Sequence, residues 1–213
     1  MIRSIFKKSP IFILNLIVLH FAKLIKFSLM LGSTAMFFSM SNIAVPMVGI
    51  VGGLVYYVNF FAIQFLYKFL IGSGSIGIGY YIPQFFASAY WLSPSKYLRL
   101  VVPLLCMGLF VLHPVGGQAW VYSTFWLIPM IISFVGFNNT FLRALGSTFV
   151  AHAVGSVIWI YTVPMIATQW ISLIPVVIAE RLLFASGMVA VYYAVNFVRS
   201  LSNQKILLSK KLV

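Results

Sequence analysis

Acidic residues are almost absent from this sequence: Glu180 is the one Asp or Glu among 213 residues, against fourteen Lys and Arg. Chemistry that needs two carboxylates, such as paired acid–base catalysis, is therefore excluded by residue count. Cys106 is the one cysteine, which excludes an internal disulfide and a multi-cysteine metal site. With three histidines and no nucleophilic-serine motif, the sequence predicts no metal, no cofactor and no enzymatic activity.

Charged residues of both signs are scarce, and apolar residues take their place. Only 7% of the chain is charged, whereas soluble domains carry roughly a quarter. Hydrophobic residues make up 62%, and the mean hydropathy is +1.08. Apolar runs of about 20 residues recur from end to end. The sequence therefore predicts an all-α fold, a polytopic membrane bundle of about six transmembrane helices in a single domain.

The net charge of +13 does not indicate nucleic-acid binding, because the Lys and Arg are scattered between the apolar runs and at the two ends. That distribution is typical of the positive-inside rule, with basic loops facing an anionic cytoplasmic leaflet. We therefore expect a multi-pass protein of a bacterial or archaeal plasma membrane with both termini cytoplasmic. Membrane lipids are expected partners, and nucleic acid is not.

The apolar runs divide the chain into a basic amphipathic segment, a transmembrane domain and a basic cytoplasmic tail. These three parts cover residues 1–27, 28–199 and 200–213. The predicted spans cover residues 28–43, 46–67, 98–112, 119–136, 144–162 and 170–198.

Two stretches allow more than one topology. Residues 11–26 form either an interfacial helix, which we favour, or a tilted first span with snorkelling lysines. The glycine-rich stretch 72–79 opens a segment, 72–94, that either re-enters the membrane and lines a cavity or is an ordinary span with a flexible start.

Glu180 and Arg181 lie near the middle of the last predicted span, and His152 lies near the middle of the one before it. Ionisable residues at bilayer depth are rare and commonly mark a binding site or an ion path. We expect His152 to pair with Glu180, and Arg181 to face Asn196, a tyrosine or a bound anion. The alternative is a buried Glu–Arg or Glu–His pair that only orients two helices.

A polar and aromatic group surrounds the predicted outward turn at residues 113–118. Glycines there permit a sharp bend or a close approach of a ligand to the backbone, and Trp and Tyr stack on flat rings. The alternative is a plain helical hairpin turn. The further candidate substrate-binding residues, from this turn and from neighbouring segments, are His113, Gln118, Trp120, Tyr122, Gln84 and Trp170.

Small residues at intervals of four predict close helix packing or a surface for a partner helix. The clearest sets are Ser147, Ala151 and Gly155 on one span, and Ala190 and Ala194 on another. Gly49 and Gly53 form a shorter pair of the same kind.

Two short motifs are similar to those of a known family. Ile82-Pro83-Gln84 precedes an Ala-rich segment, and Pro114-Val115-Gly116-Gly117 lies in a predicted outer turn. With its size, six spans and basic composition, the chain resembles the substrate-binding S components of energy-coupling factor transporters, and these motifs resemble the biotin-type members. Either Ala35-x-x-x-Ser39 or Ser28-x-x-x-Gly32 stands where that family has Ala-x-x-x-Ala on its first helix.

The resemblance implies a subunit that captures a vitamin-like or nucleobase-like nutrient from outside. It also implies as partners a transmembrane coupling subunit and ATPase subunits that supply energy. Two other functions remain open from the residues themselves. One is a self-sufficient secondary transporter in which Glu180 and His152 relay a proton. The other is a membrane scaffold or assembly protein whose small-residue faces bind a partner.

Overall fold

The computed structural model describes residues 21–22, 40–70 and 78–211, and all regular structure within these ranges is helical. Most of the predicted N-terminal segment, the predicted first span and the start of the glycine-rich stretch lie outside the described residues. The helices are α1 Ser41–Gly52, α2 Leu54–Leu70, α3 Ile78–Leu92, α4 Lys96–Leu112, α5 Pro114–Gln118, α6 Trp120–Ser123, α7 Leu127–Val135, α8 Thr140–Thr162, α9 Ala167–Ser172 and α10 Ile174–Lys211, with a 3-10 turn at Thr124–Trp126.

Two described helices are long and apolar enough to cross a membrane: α8 and the Ile174–Leu201 part of α10. At a rise of about 1.5 Å per residue, even the shorter of them exceeds the roughly 30 Å of a bilayer core. Four further apolar helical stretches are shorter, namely Ser41–Gly52, Leu54–Leu66, Arg99–Leu112 and Trp120–Val135. The all-helical class is thus confirmed for the described part of the chain.

Several predicted boundaries are wrong. The predicted span at 46–67 is divided at Gly53, whose φ of 89° is a left-handed value that ends α1. The predicted tight turn at 113–118 is the short helix α5, which begins with Pro114 directly after its N-cap, His113. The predicted span at 170–198 is also divided, because α9 ends at Ser172 and α10 begins at Ile174, with Pro175 in its first turn.

The central element is α8, which packs against α3, α4, α7 and α10. Its small residues Ser147 and Gly155 face α3, as their spacing predicts. The Ser147 hydroxyl donates to the carbonyl oxygen of Ala87 at 2.7 Å, and Gly155 lies beside Pro83. Close approach of these two helices places the polar side chains of α8 and α3 around one interior space.

Buried side chains form three clusters around α8 and α1. The one that matters most for the site, here called the aromatic cluster, consists of Phe110, Tyr122, Trp126 and Trp170. The Phe110 ring is fully buried, and its centroid lies 5.1–5.6 Å from those of the other three rings. This packing fixes α4, α6 and α9 against one another at one end of α8.

Gly49 provides a test of the α1–α3 contact. A Cβ there would lie 2.6 Å from Ser88 Oγ, so Gly49→Ala is expected to lower the free energy of unfolding by about 1–3 kcal/mol. Thermal unfolding of the purified protein measures this. Gly108→Ala is the matched control, because a Cβ at that helical glycine meets nothing within 4 Å.

The clash can also be relieved from the other side of the contact. The double variant Gly49→Ala/Ser88→Gly removes the opposing side chain and is expected to recover part of the lost stability. Equal losses in the single and double variants would contradict a direct contact between Gly49 and Ser88.

Candidate functional site

A partly open cavity of about 760 Å³ lies between α1, α3, α6, α8, α9 and α10. Most of its wall is apolar, and the polar side chains are few. Six of the nine predicted site residues line it, namely Gln84, Tyr122, His152, Trp170, Glu180 and Arg181. The helices that correspond to the last two predicted spans, α8 and α10, both contribute polar side chains to this cavity.

Glu180 and Arg181 form an ion pair on the cavity wall. Arg181 Nη2 lies 3.1 Å from Glu180 Oε2, and the residues are only 8% and 3% exposed, respectively. Arg181 Nη1 also donates to the carbonyl oxygen of Thr148 on α8, at 3.1 Å. The pair therefore ties α10 to α8 as well as placing charge at the cavity.

The predicted pairing of His152 with Glu180 is wrong, because Glu180 pairs with Arg181, as in the alternative of a buried Glu–Arg pair. Of the other partners expected for Arg181 (Asn196, a tyrosine or a bound anion), Tyr122 lines the same cavity and Asn196 does not. Neighbouring helix positions point about 100° apart, but the long arginine side chain bends back to reach the carboxylate. Two buried charges gain more from each other than from neutral partners, because each loses its hydration on burial. Glu180 Oε1 and Arg181 Nε remain buried without a hydrogen bond in the structure.

His152 pairs with Tyr122 instead. The Tyr122 hydroxyl lies 2.9 Å from His152 Nε2, and the two ring centroids are 5.5 Å apart. Tyr122 is only 3% exposed and stacks on Phe110, so the aromatic cluster holds its hydroxyl in place. The cavity thus has two polar features, the ion pair and the Tyr122–His152 pair, on a mainly apolar wall.

Gln84 and Trp170 supply the rest of the predicted polar and aromatic lining. Gln84 Nε2 donates to Asn42 Oδ1 at 3.4 Å, which joins α3 to α1 at the cavity. Trp170 is 2% exposed, its ring centroid lies 5.0 Å from that of Tyr122, and its Nε1 is buried without a partner. An apolar wall with a few fixed polar groups is typical of a small-molecule site.

Three predicted site residues lie outside this cavity. His113 lines a separate pocket of about 560 Å³, and its Nδ1 accepts from the backbone N–H of Val115 at 3.3 Å. Gln118 and Trp120 are exposed and line neither of the two pockets. The reason is local: α5 and α6 wind as short helices, so the 113–120 stretch shows only some of its side chains to the interior.

Other lining residues were missed by sequence reasoning, among them Asn42, Thr148, Trp159 and Gln169. The available signal was the same one that singled out Glu180, since a polar residue inside an apolar helix tends to face the protein interior. Among the described residues, no three His, Cys, Asp or Glu side chains cluster as a metal site would require.

Comparison with known protein families, with characterised proteins and with solved structures gives no match for this chain. The class that the described structure defines is an all-helical protein, with two helices long and apolar enough to cross a membrane and a cavity between them.

Proposed function

We propose that this chain is a multi-pass membrane protein that captures a small, ring-containing nutrient in the cavity between α8 and α10. The cavity carries the proposal: at about 760 Å³ it lies within the roughly 300–1,000 Å³ that ligand pockets occupy. An aromatic wall beside a charged pair suits a flat ligand that also has a polar group.

The outer surface supports the membrane placement. Large apolar side chains are exposed along several helices, for example Leu105 at 61%, Phe134 at 62% and Phe197 at 64%. Exposed apolar surface of this extent marks contact with lipid or with another protein. We propose six spans in a bacterial or archaeal inner membrane, with both termini on the cytoplasmic side, because the basic residues then face one leaflet.

The ion pair and the Tyr122–His152 pair determine which hydrogen-bonding groups a ligand needs in order to bind in the cavity. Buried polar groups favour a ligand that supplies hydrogen-bond partners and disfavour an analogue that lacks them. A vitamin-like or nucleobase-like molecule has such groups on a ring of suitable size. No segment of the sequence has the pattern of a phosphate-binding loop, so we propose that partner ATPase subunits supply the energy for uptake.

A partner surface is available on α10. Ala190 and Ala194, which share a face of the helix, are both exposed. Small residues at this spacing let a second helix approach closely in lipid. We propose that a transmembrane coupling subunit packs there.

Thermal unfolding with a panel of vitamins and nucleobases tests ligand capture. A ligand at about 100 times its Kd is expected to raise the Tm on the order of 5–10 °C. Gly155→Leu should abolish the shift by filling the cavity, because the glycine lines it and an added Cβ meets only Pro83, at ordinary contact distance. Gly108→Leu, at a glycine with open space around it, should keep the shift.

Uptake assays distinguish nutrient capture with partner ATPases from the two alternatives, a secondary transporter and a membrane scaffold. Uptake that depends on co-purifying ATPase subunits supports the proposal. Proton-driven uptake by this chain alone in vesicles would favour the secondary transporter. If no compound raises the Tm of the wild-type protein and another membrane complex co-purifies instead, the scaffold function replaces nutrient capture.

A further inference from the structure

Two arginines meet on one aromatic ring, away from the cavity. Arg99 lies in the first turn of α4 and Arg143 in the first turn of α8. Their guanidinium carbons lie 3.5 Å and 4.6 Å from the centroid of the Phe137 ring. The segments that follow α3 and α7 contact the same two arginines. Arg99 Nη1 donates to Ser93 O at 2.8 Å, and Arg143 Nε donates to Phe137 O at 2.9 Å. Four helix ends therefore bring two cations together.

No carboxylate is available to neutralise them. The one acidic residue of the chain, Glu180, is bound to Arg181 on the cavity wall. The first turns of α4 and α8 contain no acidic residue, and the N-terminus of a helix itself carries a partial positive charge. Arg99 and Arg143 thus add positive charge where the backbone is already positive, an arrangement that an external anion would stabilise.

Burial makes the need for an anion stronger. Arg99 is only 8% exposed, and its Nε is buried without a hydrogen-bond partner. Within the described part of the chain, each of the two guanidinium groups makes a single hydrogen bond to protein, although arginine has several N–H donors in a fork that matches phosphate. A buried cation without a counter-charge is costly, so the remaining donors mark a place for tetrahedral anion oxygens.

The surface next to the arginines fits a lipid rather than a free ion. Lys96 is exposed at the start of α4 and adds a third cation at the rim. On α7, which ends two residues before Phe137, Ile131, Phe134 and Val135 share one helix face and are 56–79% exposed. A headgroup phosphate held by the arginines would thus lead directly onto apolar surface for its acyl chains. Basic pockets between helices on the cytoplasmic side of a membrane are known sites for anionic headgroups.

We propose that Arg99 and Arg143 bind the phosphate of an anionic phospholipid at the end of the bundle formed by the α3–α4 and α7–α8 connections. The proposal rests on the membrane placement proposed above, but it is independent of nutrient capture. A bound anionic lipid would hold the starts of α4 and α8 together, and both helices contribute to the walls around the cavity or the aromatic cluster.

The test measures binding of phosphatidylglycerol to the purified protein in nanodiscs, by lipid-dependent Tm and by native mass spectrometry, with phosphatidylcholine as the neutral comparison. Arg99→Gln and Arg143→Gln are each expected to weaken phosphatidylglycerol binding by about tenfold. Arg199→Gln is the matched control. It removes the same charge from an exposed arginine that also donates to one carbonyl oxygen, that of Val51 at 2.9 Å. This control should bind like the wild type.

A second measurement needs no variant, in case the substitutions prevent folding. A photo-crosslinkable phosphatidylglycerol on the wild-type protein should label peptides that contain residues 93–99 and 136–143. Labelling spread evenly over the apolar surface, or unchanged binding by the two variants, would overturn the site. If inorganic phosphate raises the Tm as much as the lipid does, the site binds free phosphate and the lipid assignment is wrong. These assays contain no nutrient, so their results do not depend on whether the protein captures one. The lipid site and nutrient capture can therefore fail independently.

Discussion

Arg181→Met is expected to lower the free energy of unfolding by about 3–5 kcal/mol, because it leaves the Glu180 carboxylate buried without its partner. The carboxylate is on a residue that is 3% exposed, and Arg181 is the one cation within 4.0 Å of it in the described part of the chain. The change also removes the hydrogen bond from Arg181 to Thr148 O, which ties α10 to α8. Reversible unfolding in mixed micelles, followed by tryptophan fluorescence, measures the loss.

The double variant Glu180→Gln/Arg181→Met separates the charge from the packing. With both charges gone, no uncompensated ion is left, so most of the lost stability should return. Arg199→Met is the control for losing an arginine that donates to a backbone carbonyl but is exposed, and its effect should stay within about 0.5 kcal/mol. If the double variant is no more stable than Arg181→Met, the cost does not come from an unpaired buried charge.

The same double variant decides between the two interpretations of the pair. If it folds and still shows the ligand-dependent rise in Tm, the Glu180–Arg181 pair only orients α8 and α10. If it folds and the rise disappears while Gly108→Leu keeps it, the pair contributes to ligand binding. Stability and binding therefore have to be measured on the same protein.

Composition was enough to predict the helical class, and the position of Glu180 and His152 within apolar runs was enough to predict that both face the interior. Glu180 and His152 each interrupt an apolar run, and a polar side chain in such a run is disfavoured on a lipid-facing surface. That single argument predicted residues that the structure places on one cavity wall. The C-terminal bound of α8 was predicted correctly at Thr162, but the helix begins at Thr140, four residues before the predicted start of the span. Asn139 caps the helix, and Arg143 therefore lies in its first turn rather than in a loop.

Side-chain pairing was not predictable in the same way. Helical periodicity gives the direction of each Cβ, and from that direction Glu180 and Arg181 point apart. The guanidinium is several bonds away from the Cβ and reaches the carboxylate nonetheless. His152 pairs with Tyr122 because the aromatic cluster, to which Tyr122 belongs, holds α6 beside α8. No local sequence pattern encodes that long-range contact.

Gly53 shows a third limit of sequence reasoning. Glycine inside an apolar run is tolerated in membrane helices, so its presence does not by itself indicate a break. Whether it takes a right-handed or left-handed conformation depends on how α1 and α2 pack around it. The structure assigns it a φ of 89°, and the predicted single span becomes two helices.

The two adjacent glycines of α5 are expected to respond very differently to the same small change. A Cβ on Gly116 would overlap the carbonyl oxygen of Phe110 and would lie 3.1 Å from Ile160 Cδ1. Backbone atoms cannot move aside as a flexible side chain can, so Gly116→Ala should lower the free energy of unfolding by about 3 kcal/mol. A Cβ on Gly117 would lie 3.1 Å from Val111 O, which is also a backbone atom, but this contact requires a shift of only a few tenths of an ångström.

Gly117→Ala is therefore the matched control, and alanine's higher helix propensity, worth about 1 kcal/mol, should offset most of its strain. The effect of Gly116→Ala should also reach the cavity. Phe110 lies at the centre of the aromatic cluster, and its ring centroid is 5.6 Å from that of Tyr122, whose hydroxyl pairs with His152. A displaced Phe110 should weaken ligand-dependent stabilisation beyond the loss of Tm. Equal Tm values for the two alanine variants would mean that α5 does not pack as closely on α4 as the structure shows, and the aromatic wall would then lack its support.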